Sequence, residues 1–353
     1  MPDRDCSADL QQQIQNHIQQ KSPVWILGGQ SKTFYGNPVA AEPFTVTAHR
    51  GIVHYEPTEL VLTARCGTPL AEIEQTLAEH HQMLGFEPPY FGDGATLGGC
   101  IASGLSGPAR PYRGAARDFV LGVRMLNGKG EILRFGGEVM KNVAGYDLSR
   151  LLTGSLGTLG VILEVSLKVL PRPEVEETFS FEMNERSAIQ RINELMAQPH
   201  PITAACHDGE RLYLRLSGNA AAVTSAQKQI GGDQLKHAAQ FWQSLREHRH
   251  AFFQHQRPLW RLSLAAATPP LTFAGKQFID WGGAQRWLVS EEEPARIRKQ
   301  LADLGGHATL FRHGGEQPVF QPLAGKLREL HINLKLAFDP HCLFNPGRID
   351  PEL

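Results

Sequence analysis

The sequence predicts an α+β protein of two domains that meet near residue 173. With 353 residues, 41% of them hydrophobic, the chain is long enough for one large domain or two ordinary ones. Helix-like and strand-like periodicities are interspersed along its length. Glycine divides it, because 17 of the 35 glycines lie between Gly85 and Gly160 and their density falls after Pro171-Arg-Pro173. A folded, glycine-rich stretch is typical of close backbone approach to a ligand, so we expect the first domain to bind one.

The first domain begins with two predicted helix and strand pairs. An apolar residue every four positions from Leu10 to Ile18 predicts a helix, and Val24-Trp-Ile-Leu27 predicts a short buried strand. A second strand is predicted over residues 60–65. The helix after it has Thr68 as its N-cap and Pro69 at its first helical position, and it ends near residue 81.

Two later signals complete this domain. Asn127-Gly-Lys-Gly130 lies between apolar-rich runs and predicts a hairpin turn. From Leu163 to Leu170, apolar residues alternate with Glu164, Ser166 and Lys168, which predicts a strand. We expect one face of that strand in the core and the other in solvent.

The second domain is predicted to mix helices and strands over about 140 residues. Its predicted elements, with the last helix of the chain, are a helix at Ile189–Leu195, a strand at Arg211–Leu216, helices at Ala220–Ile230 and Leu235–Phe253, a strand at Leu259–Leu264, and helices at Glu291–Leu304 and Leu323–Phe338.

Charge and hydropathy exclude several classes of function. Lys and Arg number 35 against 36 Asp and Glu, a formal charge of −1, which argues against a nucleic-acid backbone as the main partner and leaves a local basic patch open. The polar N-terminus lacks the pattern of a signal peptide, and no apolar run approaches the ~18 residues of a membrane span. We expect a cytoplasmic protein that meets the inner face of the membrane only through partners.

Cysteine and histidine spacing predicts no metal site. The five cysteines, at 6, 66, 100, 206 and 342, include no Cys-x-x-Cys pair, so they fit buried apolar positions better than an iron–sulfur cluster or a zinc. The histidines lack a His-Glu-x-x-His spacing. No catalytic residue is assigned from the sequence.

Three glycine-rich segments are candidates for ligand binding. At Gly28-Gly-Gln-Ser-Lys-Thr33 a strand runs into small residues whose amides and hydroxyls could bind a phosphate. The segment does not match the Walker A pattern, and a plain tight turn is the alternative. In Gly92–Gly99 the third glycine falls one residue too late for a dinucleotide fingerprint. Gly154, Gly157 and Gly160 precede a strand, and a glycine-rich connection is the alternative there.

The order and spacing of these segments resemble the FAD-binding domain of the vanillyl-alcohol oxidase, or p-cresol methylhydroxylase (PCMH), family. The resemblance covers residues 20–172, including Lys141-Asn-Val-Ala-Gly-Tyr-Asp-Leu148, and resumes at Asp339-Pro-His-Cys-Leu-Phe-Asn-Pro-Gly-Arg348. It implies a PCMH-type FAD-binding domain of two subdomains over 1–173, an α+β cap domain over 174–320, and a C-terminal segment, 321–353, that returns to the FAD domain.

The resemblance also implies a set of cofactor-binding residues. Backbone amides of the first two glycine segments would hold the FAD pyrophosphate, further residues would line the cofactor, and Asn345 would lie near the flavin ring. The first group is Gly28, Gly29, Gln30, Ser31, Lys32, Gly94, Ala95, Thr96, Gly98 and Gly99, and the second is Ser103, Gly104, Gly157, Gly160, Val161 and Ile162. Because 28–36 contain no His, to which FAD is often attached in this family, we expect non-covalent FAD.

Within the family, the sequence is most similar to the FAD-binding E subunits of bacterial glycolate oxidases. Gly107-Pro-Ala-Arg-Pro-Tyr-Arg113, Arg117–Gly122 and Gly136–Gly145 carry this similarity. It implies a complex that oxidises glycolate or another small 2-hydroxy acid to the 2-oxo acid, with a D-type flavin subunit and an iron–sulfur F-type subunit as partners. The His-x-x-Gly-Asp-Gly-Asn-x-His segment of D subunits is missing from 174–353, where His313-Gly-Gly-Glu316 is the nearest fragment. We therefore expect this flavin to accept or relay electrons.

Several alternatives stay open at this stage. Arg261 or Arg286 beside Trp260 or Trp281 could bind a small carboxylate, although ordinary packing is favoured, and Arg110, Arg113 and Arg117 could either meet the FAD phosphates or form a solvated basic loop. A stand-alone reductase of the UDP-N-acetylenolpyruvoylglucosamine type shares the fold, but the ending Phe344-Asn-Pro-Gly347 argues against it. A flavin-free scaffold would have little reason to keep both glycine blocks.

Overall fold

The structure, a computed structural model, describes residues 4–137, 148–315 and 317–352. The chain divides into two compact units. The first unit comprises Met1–Leu105, Ala115–Pro171 and Pro322–Leu353, and the second comprises Ser106–Gly114 and Arg172–Gln321. The domain boundaries at 173 and 320 stay predictions, and the structural division differs from them by placing Ser106–Gly114 in the second unit.

The first unit is built on a five-stranded antiparallel sheet in the order β3-β4-β8-β6-β7. Two smaller sheets accompany it, a parallel pair β1-β2 and an antiparallel pair β5-β9. The strands are β1 Val24–Leu27, β2 Glu42–Thr45, β3 Ile52–Glu56, β4 Val61–Arg65, β5 Gln82–Met83, β6 Val120–Leu126, β7 Ile132–Gly136, β8 Val161–Lys168 and β9 Leu170–Pro171.

Helices cover the sheets of the first unit and share its core. Leu10 and Ile14 of the first helix and Leu70, Ile73 and Leu77 of the second are buried, as expected for amphipathic helices. The helices are α1 Ser7–Gln20, α2 Leu70–Glu79, α3 Leu97–Ser103, α5 Ala116–Phe119, α6 Leu148–Leu151 and α11 Gly325–Phe338.

The second unit has one eight-stranded antiparallel sheet in the order β13-β10-β12-β11-β15-β16-β14-β17. Its strands are β10 Val175–Glu182, β11 Ile202–His207, β12 Arg211–Gly218, β13 Asp233–Gln234, β14 Leu259–Ser263, β15 Lys276–Asp280, β16 Gln285–Val289 and β17 His307–Arg312. Its helices are α4 Arg110–Arg113, α7 Glu185–Met196, α8 Ala220–Ile230, α9 Ala238–Arg246 and α10 Pro294–Asp303, with short 3-10 turns at Ala251–Phe253 and Trp281–Gly283.

Most of the predicted elements are confirmed within a few residues, and three details were wrong. The hydroxyl of Thr68 exchanges hydrogen bonds with the backbone of Gly51, so Pro69 is the N-cap of α2. The outer face of β8 is not in solvent, because Glu164 is buried against Arg124 at 2.8 Å and Ser166 is hydrogen-bonded to another buried residue. The predicted helix 235–253 ends early, at Arg246.

The helices of the described residues are short. The two longest helices, α1 and α11, have 14 residues each. At about 1.5 Å per residue, neither reaches across the ~30 Å hydrocarbon core of a bilayer. No helix among the described residues has the length and apolar composition of a membrane span.

Candidate cofactor site

The site begins where β1 ends, at the loop Gly28–Thr33. The backbone amides of Gly28, Gly29, Gln30 and Ser31 have no hydrogen-bond partner among the residues that the structure describes. Gln30 has a φ of 57°, a left-handed conformation that interrupts the extended backbone after the strand. Successive unpaired amides in such a loop form a concavity that attracts anions.

A second loop packs against the first so tightly that only glycine fits. A Cβ on Gly29 would lie 1.3 Å from the carbonyl oxygen of Gly94. Gly94 leads into α3, where the hydroxyl of Thr96 accepts a hydrogen bond from the amide of Gly99. The first two glycine-rich segments therefore lie side by side.

The C-terminal segment forms the other side of β1. The amide of Val24 donates to the carbonyl of Leu343, and the amide of Asn345 donates to the carbonyl of Val24. The side chain of Asn345 accepts from the amide of Ile26 at 2.7 Å and donates to the carbonyl of Leu156 at 2.6 Å. Asn345 thus ties three separate segments together at the edge of the site.

Arg348, three residues later, is a buried cation beside the same loop. Its guanidinium donates to the carbonyls of Thr33 at 2.9 Å, Tyr35 at 2.7 Å and Asn37 at 2.7 Å, with a longer contact to Gly36. Burial lowers the pKa of Arg348 to about 10, which leaves it charged at neutral pH. No carboxylate pairs with it among the described residues.

These segments enclose two adjoining grooves within the first unit. One measures about 550 Å³ and the other about 400 Å³, with space open to solvent included. No Asp or Glu lines either groove in the described part of the chain, whereas Lys32 and Arg348 both line the larger one. The electrostatics of the site favour an anionic ligand.

Thirteen of the seventeen predicted cofactor residues line these grooves. They are Gly28, Gly29, Gln30, Ser31, Lys32, Thr96, Gly98, Gly99, Ser103, Gly157, Gly160, Ile162 and Asn345. The other four lie next to them. Gly94 packs against Gly29, Ala95 is buried in the core, Gly104 ends α3, and Val161 lies in the core with 0% of its surface exposed. Lys141–Asp147, part of the family resemblance, lies outside the described residues.

Nine residues outside the predicted cofactor set also line the grooves, among them Thr33 of the first glycine-rich segment. They are Trp25, Ile26, Leu27, Thr33, Val46, Cys66, Ala102, Leu156 and Arg348. Leu27, Ala102 and Leu156 each adjoin a predicted cofactor residue, so sequence proximity was the available signal for these three. Cys66 is no nucleophile, because burial raises the pKa of its thiol to about 12.

In the second unit, the arginines singled out from the sequence pack against protein groups. Arg286 donates to the carbonyls of Pro269, at 2.7 Å, and Thr268, and lies 3.9 Å from Glu185. The Arg110 guanidinium stacks 4.5 Å from the centre of the Trp281 ring. The Arg286 contacts fit the favoured packing interpretation, whereas the stacking of Arg110 on Trp281 was not among the alternatives predicted for Arg110. The described residues contain no group of three or more His, Cys, Asp or Glu that could hold a metal ion.

Comparison with known proteins identifies the family. Residues 6–136 match the family described as an FAD binding domain. The glycolate oxidase subunit GlcE of Escherichia coli (strain K12) is 48% identical over 349 residues, which cover 99% of both chains. The chain belongs to the GlcE family of glycolate oxidase subunits. The glycolate oxidase subunit GlcD of Bacillus subtilis (strain 168) is 38% identical over 104 residues, 29% of this chain and 22% of that protein.

Solved structures confirm the predicted fold class. p-Cresol methylhydroxylase with substrate bound superimposes with a TM-score of 0.70 at 15% identity, covering 99% of this chain and 88% of that one. An alkyldihydroxyacetonephosphate synthase superimposes with a TM-score of 0.65 at 15% identity, covering 96% and 75%. The chain therefore has the α+β, PCMH-type fold.

The residues of the site fit FAD, the cofactor that the family and its FAD binding domain identify. Amides without a partner among the described residues, and a groove lining that holds two cations and no described carboxylate, suit a diphosphate. Ile26, Val46 and Ile162 offer apolar surface in the smaller groove for a ring of the cofactor. At Gly99 a Cβ would meet only the Thr96 hydroxyl, at 3.4 Å, so this position leaves the groove open.

Proposed function

We propose that this chain is the FAD-binding subunit of a glycolate (2-hydroxy acid) oxidase or dehydrogenase complex. Its flavin would accept or relay electrons as the complex oxidises the hydroxy acid to a 2-oxo acid. One observation supports the proposal, namely a groove in the first unit lined by the Gly28–Ser31 loop, Lys32 and Arg348, in a chain that is 48% identical to GlcE over 99% of its length.

The residues of the groove have separate roles in this proposal. The amides of Gly28–Ser31 would hold the diphosphate, with Lys32 and Arg348 supplying positive charge. Asn345 would keep β1 and the Leu156 loop in register, because its amide group bonds to both. Bound FAD supplies a two-electron acceptor. Attachment is proposed to be non-covalent, since residues 28–36 contain no His.

A relay role is favoured over an independent hydroxy-acid site. The D-type His-x-x-Gly-Asp-Gly-Asn-x-His segment is missing from residues 174–353. Arg286, a candidate for binding the substrate carboxylate, already contacts two carbonyls and a glutamate. The principal substrate site is therefore proposed to lie on another subunit.

The proposed partners follow from the same reasoning. A D-type flavin subunit would supply the substrate site, and an iron–sulfur F-type subunit would take electrons onward, since the cysteines of this chain lack the spacing of a cluster. We propose a cytoplasmic location, at the inner face of the membrane through the complex.

Anaerobic reduction by substrate tests the proposal. The purified chain is expected to release flavin on denaturation and to show flavin absorbance that glycolate, D-lactate and L-lactate leave unchanged. Adding the D-type subunit should allow one of the three acids to bleach it. Rapid bleaching of the isolated chain would instead show a complete substrate site, NADPH oxidation would favour the reductase, and a chain that binds no flavin would favour the scaffold.

A further inference from the structure

Arg348 differs from the other parts of the groove because it contributes a buried charge. Only 6% of its surface is exposed, and its guanidinium hydrogen bonds go to four neutral carbonyls of residues 33–37. Neutral carbonyls satisfy the donors of a guanidinium but leave its net charge uncompensated. A buried cation without a counter-ion is unfavourable unless an anion binds nearby.

The place of Arg348 in the groove indicates where that anion binds. It lines the larger groove together with Gly28, Gly29, Gln30 and Ser31, whose amides lack partners in the described part of the chain. The loop with unpaired amides and the carbonyls that Arg348 engages are consecutive in the chain. One side chain therefore fixes the second half of the loop and places a positive charge beside the first half.

We propose that Arg348 is the positioning residue for the cofactor diphosphate, holding residues 33–37 and supplying the counter-charge for an anion at Gly28–Ser31. The inference rests on the proposed FAD site and adds a role that sequence reasoning did not assign. The hydrogen-bond partners of Arg348 are all backbone carbonyls. Arg348 is therefore proposed to act on the diphosphate through the loop that it holds and through its charge.

Asn37 provides a matched control for the structural part of this role. Its side-chain amide donates to the carbonyl of Gly347 at 3.0 Å and makes a longer contact to Ile349. It therefore joins the same loop to the same C-terminal segment. It carries no charge and does not line the groove. N37A should loosen the connection without removing the cation.

The test compares three variants of the full chain after FAD has been removed. R348K keeps the positive charge, R348Q keeps hydrogen-bond donors without it, and N37A weakens the connection alone. Dissociation constants are measured by calorimetry for FAD, for ADP, which carries the diphosphate without flavin, and for riboflavin, which lacks the diphosphate. Thermal unfolding of each ligand-free variant is recorded beside them.

If Arg348 supplies the counter-charge, the variants should differ in their affinities for the ligands that carry a diphosphate. R348Q should weaken FAD and ADP at least about tenfold and riboflavin less than about threefold, whereas R348K and N37A should stay within about threefold of wild type for ADP. If R348Q does not fold, retained ADP affinity in R348K still supports the proposal. The proposal would be overturned if R348K or N37A bound ADP as weakly as R348Q does, or if R348Q bound ADP as tightly as the wild type.

The wild-type protein separates this inference from the proposed function. If the wild-type chain binds neither FAD nor ADP after removal of the cofactor, the groove assignment is wrong and the role of Arg348 falls with it. If the wild-type chain binds both and all three variants match it, the groove assignment stands and only the inference about Arg348 is overturned.

Discussion

Two buried arginines, one in each unit, show how differently the units use charge. Arg286 in the second unit is 0% exposed, and Glu185 lies 3.9 Å from it in addition to its carbonyl partners. Arg348 in the first unit is equally well hydrogen-bonded but has no carboxylate partner among the described residues. Arg286 is balanced by the protein, whereas Arg348 lines a groove and is left to be balanced by a ligand.

The difference indicates where binding energy resides in this protein. Removing one partner of a charge pair that the fold compensates should destabilise the chain, because the other charge is then left uncompensated. A charge and a set of amides that the fold leaves uncompensated contribute to ligand affinity. We therefore expect the uncompensated charge of the first unit to act on ligand affinity and the compensated charge of the second unit to act on stability.

The largest expected effect is at the contact between the two glycine loops. G29A places a Cβ at 1.3 Å from the carbonyl oxygen of Gly94, so the loops must separate. We expect the free energy of unfolding to fall by more than ~4 kcal/mol, or soluble protein to be lost, as measured by denaturant titration. G154A is the control, since a Cβ there meets no atom within 4 Å and only its φ of 86° is unfavourable, at ~1 kcal/mol. Equal stability of the two variants would contradict the account.

Alanine substitutions at the neighbouring glycines Gly98 and Gly99 should separate an effect on stability from an effect on FAD binding. At Gly98 a Cβ would lie 2.7 Å from the Cβ of Cys66, whereas at Gly99 it meets little besides the groove. G98A should therefore destabilise the chain. G99A should unfold at or above the wild-type Tm, because alanine favours the helix by up to ~1 kcal/mol, and should bind FAD at least about tenfold more weakly. Wild-type FAD affinity in G99A would show that the cofactor does not lie against α3.

Substitution of Arg286, in the second unit, tests the comparison of the two arginines. R286M removes a charge that the second unit compensates internally, so we expect the free energy of unfolding to fall by about 3 kcal/mol. The FAD dissociation constant of the folded protein should stay within about threefold of wild type, because Arg286 does not line the grooves. A tenfold loss of FAD affinity in folded R286M would mean that the contrast between the two arginines is wrong.

The smallest expected effect concerns thiol reactivity and its pH dependence. Burial raises the pKa of Cys66 to about 12 and that of Cys206 well above its usual value, so both stay protonated between pH 7 and 9. Maleimide at pH 8 should modify exposed Cys342 first, as read by mass spectrometry. FAD should slow the labelling of groove-lining Cys66 a few-fold and leave Cys206 unchanged. Equal protection of both thiols would contradict a groove confined to the first unit.

The sequence predicted those parts of the site that follow from local chemistry. A strand followed by Gly28-Gly29 needs no distant information to be recognised as a tight turn, and Asn345 was found because it belongs to a distinctive ending. Arg348 was missed because its partners are carbonyls more than 300 positions away, at residues 33–37. Glu164 was placed in solvent because alternation alone does not show that Arg124, on a neighbouring strand, would pair with it.

Amide hydrogen exchange at Gly28–Ser31, measured with and without FAD, shows whether this loop holds the cofactor. These four amides lack partners in the described structure, so they should exchange rapidly in the FAD-free protein. FAD is expected to slow their exchange at least about tenfold and to leave the amides of β16, in the second unit, unchanged. Binding of FAD that protects other segments while Gly28–Ser31 continue to exchange rapidly would contradict the account.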